Sequence, residues 1–295
     1  MTGFTFSQEQ VDKFNNEGCL CIENYLNPEE VEELLNHTYK LIDEFDLENH
    51  SMTKFTTGGE NNDEHVGDDY FLQSSDKIRF FLEPGAFNSD NKLIKSKERA
   101  INKIGHGLHI DPVFNKHTIN HKSKEIVDKL GFQDPRVLQS MIICKQPEIG
   151  GEVPSHQDGT FLYTEPQSAI GFWIALEDCN ETNGCLSYLS GSHKTVPIQK
   201  RFVKKEQGGT GFIYFNEEQR DEYDNNEEDY LKIKCSKGSL ILIHNQVLHR
   251  SNLNFSNNSR YAYAFHVIDG VTNYDELNWL QVPPSGGANF TKLQV

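Results

Sequence analysis

The sequence predicts a mainly β protein, a sandwich or barrel of short strands supported by helices on its N-terminal side. Helical periodicity is confined to about the first 130 residues. From Val137 onward the chain breaks into short apolar segments separated by Gly- and Asn-containing turns. No internal repeat and no Pro-rich linker divides it. One domain over residues 1–295 is therefore expected, with helical support over about 1–130 and the β core over about 135–270.

Ser7 followed by Gln10 is a capping box that opens a short first helix, and Gly18 stops it. Gly18 to Tyr25 reads as a short strand. Asn27-Pro28-Glu29-Glu30 supplies an N-cap, a proline at the first helical position and acids in the first turn. Val31, Leu34, Leu35, Thr38, Leu41, Ile42 and Phe45 then recur at helical spacing, which predicts a helix over about 28–46. Residues 48–76 read as a loop, 77–82 as a strand and 83–96 as a second loop. Residues 97–109 are mixed, with helix as the available reading. Ser123 to Leu130 reads as a short helix. The β segments are 137–145, 169–177, 185–190, 212–215, 230–235, 239–243 and 259–268. The stretch 216–229 is strongly acidic and reads as a solvated loop.

A chain of 295 residues buries a core without disulfide or metal staples. The net charge of −16 argues against a generic phosphate-binding surface, so nucleic acid is not an expected partner. A local basic pocket for a small anion remains compatible with it. No run of 18 apolar residues predicts a membrane span. The N-terminus has no basic, then apolar, leader pattern, so a cytoplasmic setting is expected. Cys19, Cys21, Cys144, Cys179, Cys185 and Cys235 are then expected as reduced thiols, and none has CxxC spacing. Nothing specifies an oligomer, and a monomer is the expectation.

The chemistry is suggested by His-x-Asp. Non-haem iron oxygenases hold Fe(II) on one face with two imidazoles and one carboxylate, leaving positions open for a co-substrate and oxygen. On a strand, residues i and i+2 point the same way, so His-x-Asp aims two ligands at one point, and a distant His completes the set. Chance alone supplies about 0.7 such pairs in a chain with 12 histidines among 295 residues. This chain has two. His109-Ile110-Asp111 precedes Pro112 and follows a Gly-containing, mixed stretch, so a capping or packing role is its reading. His156-Gln157-Asp158 opens the β-rich half. Downstream, Leu240 to Ile243 reads as a buried strand leading to His244 and His249.

His249 and His244 compete for the third place, both near the end of what reads as one strand, and side-chain alternation does not decide between them. The spacing to Arg260 favours His249. 2-Oxoglutarate chelates iron through its keto and adjacent carboxylate oxygens, and its far carboxylate needs a cation. Arg260 lies eleven residues after His249, across what reads as a hairpin, and its planar fork binds a carboxylate bidentately. Alternation places Arg260, Ala262 and Ala264 on one face, small enough to leave room for a ligand. Ser251 would share a face with His249. His193 and His266 are further candidates, read as structural or exposed. A carboxylate at 158 also argues against a halogenating variant, in which halide takes that place.

Several longer stretches resemble the phytanoyl-CoA dioxygenase family: NKIGHGLH at 102–109, DPVF at 111–114, QSMIICKQPEIGGEVPSHQDGTFLYTEP at 139–166, GFWIALEDCNETNGCL at 171–186, SGSH at 190–193, LIHNQVLHRS at 242–251 and LNWL at 277–280. The resemblance covers roughly 6–282. It implies a double-stranded β-helix (jelly roll, cupin-like) core and places the iron ligands on His156, Asp158 and His249. It also implies 2-oxoglutarate contacts from Lys103, Met141, Trp173, Ser251 and Arg260. For Met141 and Trp173 the residues alone suggest ordinary core packing. Asn183 to Leu186 and Gly191 to His193 resemble a strand and turn at the mouth of the site. Two departures stand out: a shortened segment around Ile110, and the acidity of 216–229, which bears on substrate entry.

The expected function is therefore hydroxylation of a small-molecule substrate, with Fe(II), 2-oxoglutarate and O2, coupled to release of succinate and CO2. Two other classes remain: a non-catalytic module that binds metal and 2-oxoglutarate, and a cupin-type metal protein, which would not need Arg260. A CoA ester is disfavoured as substrate because no Lys/Arg cluster marks an entrance for its phosphates.

Overall fold

Local capping chemistry sets the N-terminal helices. In α1 (Gln8–Glu17), Ser7 Oγ accepts from Gln10 N at 3.2 Å while Gln10 Oε1 accepts from Ser7 N at 2.8 Å. Gly18 closes the helix at φ 81°, a left-handed conformation that costs glycine nothing. Asn27 and Glu30 repeat the box at the start of α2 (Pro28–Glu44). Both agree with the sequence expectation. The short helices α3 (Asp69–Leu72) and α4 (Lys97–Ala100) precede α5 (Pro112–Thr118) and α6 (His121–Lys129). The structure, a computed structural model, describes residues 3–55, 67–216, 226–283 and 289–295. Most of the expected acidic loop (217–225), and 56–66 of the expected loop 48–76, lie outside the described residues.

Strands are numbered along the chain. A major antiparallel sheet contains β1 (Cys19–Ile22), β2 (Ile78–Leu82), β3 (Ile101–His106), β4 (Pro135–Lys145), β7 (Ile170–Ala175), β12 (Leu240–His244) and β14 (Arg260–Asp269), in the order β1-β12-β7-β14-β4-β3-β2. The last short strand, β16 (Thr291–Lys292), pairs with the start of β4. A minor sheet contains β5 (Val153–His156), β8 (Leu186–Tyr188), β11 (Leu231–Lys232) and β13 (His249–Ser251), in the order β11-β8-β13-β5. Two further pairs are β6 (Thr164–Glu165) with β15 (Asn273–Tyr274), and β9 (Lys200–Lys204) with β10 (Thr210–Tyr214). The two sheets form a jelly roll, and the residues before 135 add three strands to it as well as helices.

Side-chain alternation divides the major sheet into two faces. Tyr263 and Phe265 of β14, Phe172 and Ile174 of β7, and Leu240 and Leu242 of β12 pack in one core with Phe14, Leu34, Phe114 and Ile126 from the helices. Full burial of each such apolar side chain is worth about 1.5–3 kcal/mol. The other face carries Met141, Trp173, Ile241, Ala262 and Ala264, which pack with Leu186 and Tyr188 of the minor sheet. This inner face builds the site. No helix among the described residues is long and apolar enough to cross a membrane.

The structure corrects several sequence expectations. Residues 97–109 hold one α-helical turn and the start of a 3-10 turn at Leu108, and between them Ile101–His106 is a strand. Lys103, which pairs with Ile143 of β4, lines the site, and Gly105, which pairs with Met141, carries no side chain, so no apolar alternation marks it. The strand β9, with Lys200, Arg201 and Lys204, is not among the β segments read from the sequence. Lys200 and Arg201 are nonetheless buried, Lys200 over the Phe212 ring and Arg201 bonded to Asp275 at 2.8 Å. His244 and His249 are not on one strand: His244 ends β12 in the major sheet and His249 opens β13 in the minor one. Nor is Arg260 reached across a hairpin, since β14 pairs with β4 and β7 and not with β13.

Candidate active site

His156 is the last residue of β5 and lies opposite His249 of β13 in the register of the minor sheet. Gln157 remains extended, at φ −116° and ψ 130°, so the two-residue alternation brings Asp158 to the same side before a 3-10 turn begins. The Gln157 side chain anchors this corner, donating to Val196 O at 2.9 Å and to Gln246 O at 2.7 Å. Asp158 Oδ1 lies 3.6 Å from both His156 Nε2 and His249 Nε2. One donor atom from each of the three residues lies within 4.8 Å of the others, and no other such cluster occurs among the described residues.

The donor set suits a divalent metal. His156 Nδ1 donates to Pro154 O at 2.9 Å, and His249 Nδ1 donates to Val247 O at 3.1 Å. A carbonyl only accepts, so each Nδ1 carries the proton and each Nε2 turns a lone pair toward Asp158. Burial, with His156 alongside, lowers the His249 imidazole to about 4, so it is neutral at pH 7. Burial alone would raise the Asp158 carboxyl, yet it is held well below its ordinary value, with the His266 N–H donating to Oδ2. Two imidazoles and one carboxylate are the set that non-haem iron(II) takes, with other positions left open.

From this cluster the inner face of β14 runs through His266, Ala264 and Ala262 to Arg260. Met141 and Trp173 flank Ala264 in register on β4 and β7. Arg260 is 1% exposed, and its guanidinium lies 5.0 Å from the centre of the Trp173 ring. Arg260 Nη1 donates to Gly184 O at 2.8 Å, and Ser251 Oγ donates to the same oxygen at 3.2 Å. Gly184 sits at φ 74°, and a side chain there would meet Asn252 O at 2.4 Å, so only glycine presents this carbonyl. Arg260 Nε is buried without an acceptor. A buried cation with a spare donor and no carboxylate bonded to it suits an anion. Burial lowers Arg260, with Cys179, Cys185, Cys235 and Glu177 opposing, and arginine keeps its charge at neutral pH all the same.

All eight residues singled out in the sequence (Lys103, Met141, His156, Asp158, Trp173, His249, Ser251 and Arg260) line one cavity of about 330 Å³. Lys103 Nζ lies 3.5 Å from the centre of the Phe55 ring, and burial lowers it to about 7, with Asp158 opposing. The competing histidines fall elsewhere. His244 packs against His193 with the rings tilted by 50°, and His193 Nε2 donates to Asn15 O at 3.0 Å and ties α1 to the core. His109 bonds Ser140 Oγ at 2.9 Å, and Asp111 caps α5 by accepting from Val113 N at 2.9 Å. His266 departs from expectation: it faces the cavity with Nε2 3.3 Å from Asp158 Oδ2. Its alternation with Arg260, Ala262 and Ala264 was the available signal. Glu83 carried none, and Gly184 only the resemblance of Asn183 to Leu186 to a segment at the mouth of the site.

Glu83 lines the same cavity, and burial pushes its carboxyl up to about 7 against hydrogen bonds from Asn102 and Gly151 and the charge of Lys145. A raised folded value means that stability is fully present below the unfolded value near 4.5 and is lost as pH rises through 7. Glu83→Gln keeps an acceptor and removes this penalty. The variant is expected to match wild type near pH 4.5 and to be more stable at pH 8 by up to about 3 kcal/mol, at ~1.36 kcal/mol per pH unit. Urea unfolding of the metal-free protein at the two pH values measures this, and a difference that does not grow with pH contradicts it.

Comparison with known proteins places this geometry. The family model described as Phytanoyl-CoA dioxygenase (PhyH) matches residues 14–262. A Caenorhabditis elegans relative, phytanoyl-CoA dioxygenase domain-containing protein 1 homolog, is 44% identical over 274 residues, covering 92% of this chain and 94% of its own length. Phytanoyl-CoA dioxygenase of Arabidopsis thaliana is 40% identical over 280 residues, covering 94% of each. Among solved structures, the epimerase SnoN in complex with Fe3+, alpha ketoglutarate and nogalamycin RO superposes with a TM-score of 0.63 at 14% identity, over 97% of this chain and 98% of its own. Iron-bound EctD from S. alaskensis gives 0.63 at 16% identity, over 100% and 89%. At such identities the structural likeness establishes the shared fold, and the family follows from the sequence matches: this chain belongs to the phytanoyl-CoA dioxygenase family.

Proposed function

We propose that the chain is an Fe(II)/2-oxoglutarate-dependent dioxygenase that converts 2-oxoglutarate to succinate and CO2 while hydroxylating a compact, largely apolar small molecule. The observation that carries this reading is one cavity with the His156/Asp158/His249 cluster at one end, the buried Arg260 guanidinium with its unpartnered Nε at the other and only small side chains, Ala262 and Ala264, between them on β14. Bound iron would supply oxygen activation and an anchor for the co-substrate's keto acid. The family match and the iron- and alpha ketoglutarate-bound neighbour SnoN support the same class.

The protein's own residues do the rest. Arg260 and Ser251 hold the far carboxylate, and Lys103, at the metal end, offers a cation to the near one. Trp173 and Met141 wall the slot and exclude water around the co-substrate. Phe161, whose ring is 6.0 Å from that of His156, and Phe202, 5.6 Å from Phe161, form an apolar wall beside the metal end. A cavity of about 330 Å³ lies at the small end of ligand pockets, so it takes the co-substrate and a compact second molecule rather than a whole CoA ester. The test is O2-dependent succinate release from 2-oxoglutarate by Fe(II)-loaded protein, with compact apolar candidates scored by how far they stimulate it. Succinate release that a candidate stimulates, with a hydroxylated product in equal amount, is expected. No succinate under any condition contradicts the proposal.

A further inference from the structure

The carboxylate of Asp158 has two oxygens, and the structure treats them differently. Oδ1 faces His156 Nε2 and His249 Nε2, while Oδ2 faces a third imidazole, His266 Nε2, at 3.3 Å. A carboxylate only accepts, so His266 donates. In a neutral ring that donation leaves Nδ1 to accept, and Gln139 Nε2 supplies the donor there at 3.3 Å. Gly171 of β7 makes room for this contact. A Cβ added to it would lie 3.3 Å from Asp158 Oδ2 and 3.5 Å from His266 Nε2.

We infer that His266 is a positioning residue for the metal site: its Nε2–H holds Asp158 Oδ2, so that only Oδ1 is turned to the metal. The inference rests on the triad reading above. A carboxylate free to rotate presents both oxygens to a cation and fills a position that the co-substrate or oxygen needs. A hydrogen bond to Oδ2 removes that option and lowers the number of carboxylate orientations that must be frozen when metal binds. Gln139 and Gly171 serve the same contact from β4 and β7, the first by fixing the ring's tautomer and the second by leaving space.

The experiment is an anaerobic titration of the metal-free full chain with Co(II), which reports affinity and, through its visible spectrum, coordination number, without any turnover. His266→Phe keeps the ring's bulk and removes the donor. His266→Gln keeps an N–H near the position of Nε2. Gly171→Ala crowds Oδ2 while leaving the donor intact. Near-ultraviolet circular dichroism checks that each variant is folded. His266→Phe is expected to bind Co(II) about 10–100-fold more weakly, with a spectrum shifted toward a different coordination number. His266→Gln is expected to recover most of the affinity and the wild-type spectrum. Gly171→Ala is expected to shift the spectrum in the same direction by less, and it carries the test by itself should His266→Phe not fold. Wild-type affinity and spectrum in His266→Phe, or in Gly171→Ala where that variant carries the test, overturn the inference. So does an equal loss in folded His266→Phe and His266→Gln, because the donor is then not what matters. A wild type that binds no Co(II) overturns the metal-site reading, and the role of His266 falls with it.

Discussion

Asp158→Ala is expected to abolish O2-dependent succinate release and to leave protein that retains little iron after anaerobic loading and desalting. The carboxylate is the one negative charge in the three-residue cluster, which otherwise offers only the imidazoles of His156 and His249 to a dication. Its removal leaves two neutral imidazole ligands and no charge compensation for a buried ion. The fold should survive, because the corner around residue 158 is held by backbone and Gln157 bonds that do not use the carboxylate. Metal analysis and succinate assay on the folded variant give the result. Undiminished turnover would sink the assignment of the metal ligands.

The second large effect is expected at the far end of the slot. Arg260→Ala should weaken 2-oxoglutarate binding by about 2–5 kcal/mol, roughly 30- to 5,000-fold in Kd, the usual cost of truncating one member of a desolvated charge pair. Metal affinity should change little, because Arg260 sits six residues along β14 from His266 and touches none of the three metal-binding candidates. Arg260→Lys should recover only part of the loss, since an ammonium cannot bond a carboxylate bidentately from the same place. Calorimetry with 2-oxoglutarate against the anaerobic metal-loaded protein separates the two effects. Equal affinities in wild type and Arg260→Ala would remove the co-substrate from this end of the cavity.

How much of this was legible in the sequence varies with the kind of signal. The capping box at Ser7/Gln10 and the N-cap at Asn27 fix helix starts locally, and the structure repeats them and completes a second box with Glu30. The inner-face alternation of Arg260, Ala262 and Ala264 was legible because β14 is long and two-faced. The strand β3 was not, because Lys103 lines the site rather than filling a core and Gly105 has no side chain to mark a face. His266 was legible in position but not in role, since its partner Asp158 is 108 residues away. The break between His244 and His249 was hidden because the apolar run Leu240 to Ile243 resumes at Val247 and Leu248, while pairing assigns the two histidines to different sheets. Gly184 gave no sign that its carbonyl serves both Arg260 and Ser251, because that role depends on backbone carried over from another strand.

The most direct test of the central claim needs no substrate. Metal-free protein is mixed with Fe(II) and 2-oxoglutarate without oxygen, and the visible metal-to-ligand charge-transfer band of the chelated keto acid is recorded for wild type, His249→Ala and Arg260→Ala. The account predicts a band in wild type that is lost in His249→Ala and, at a 2-oxoglutarate concentration that saturates wild type, weakened in Arg260→Ala. Folded, iron-loaded wild type with no band would contradict it, because 2-oxoglutarate would then not chelate iron in this cavity and a cupin-type metal protein would describe the chain better.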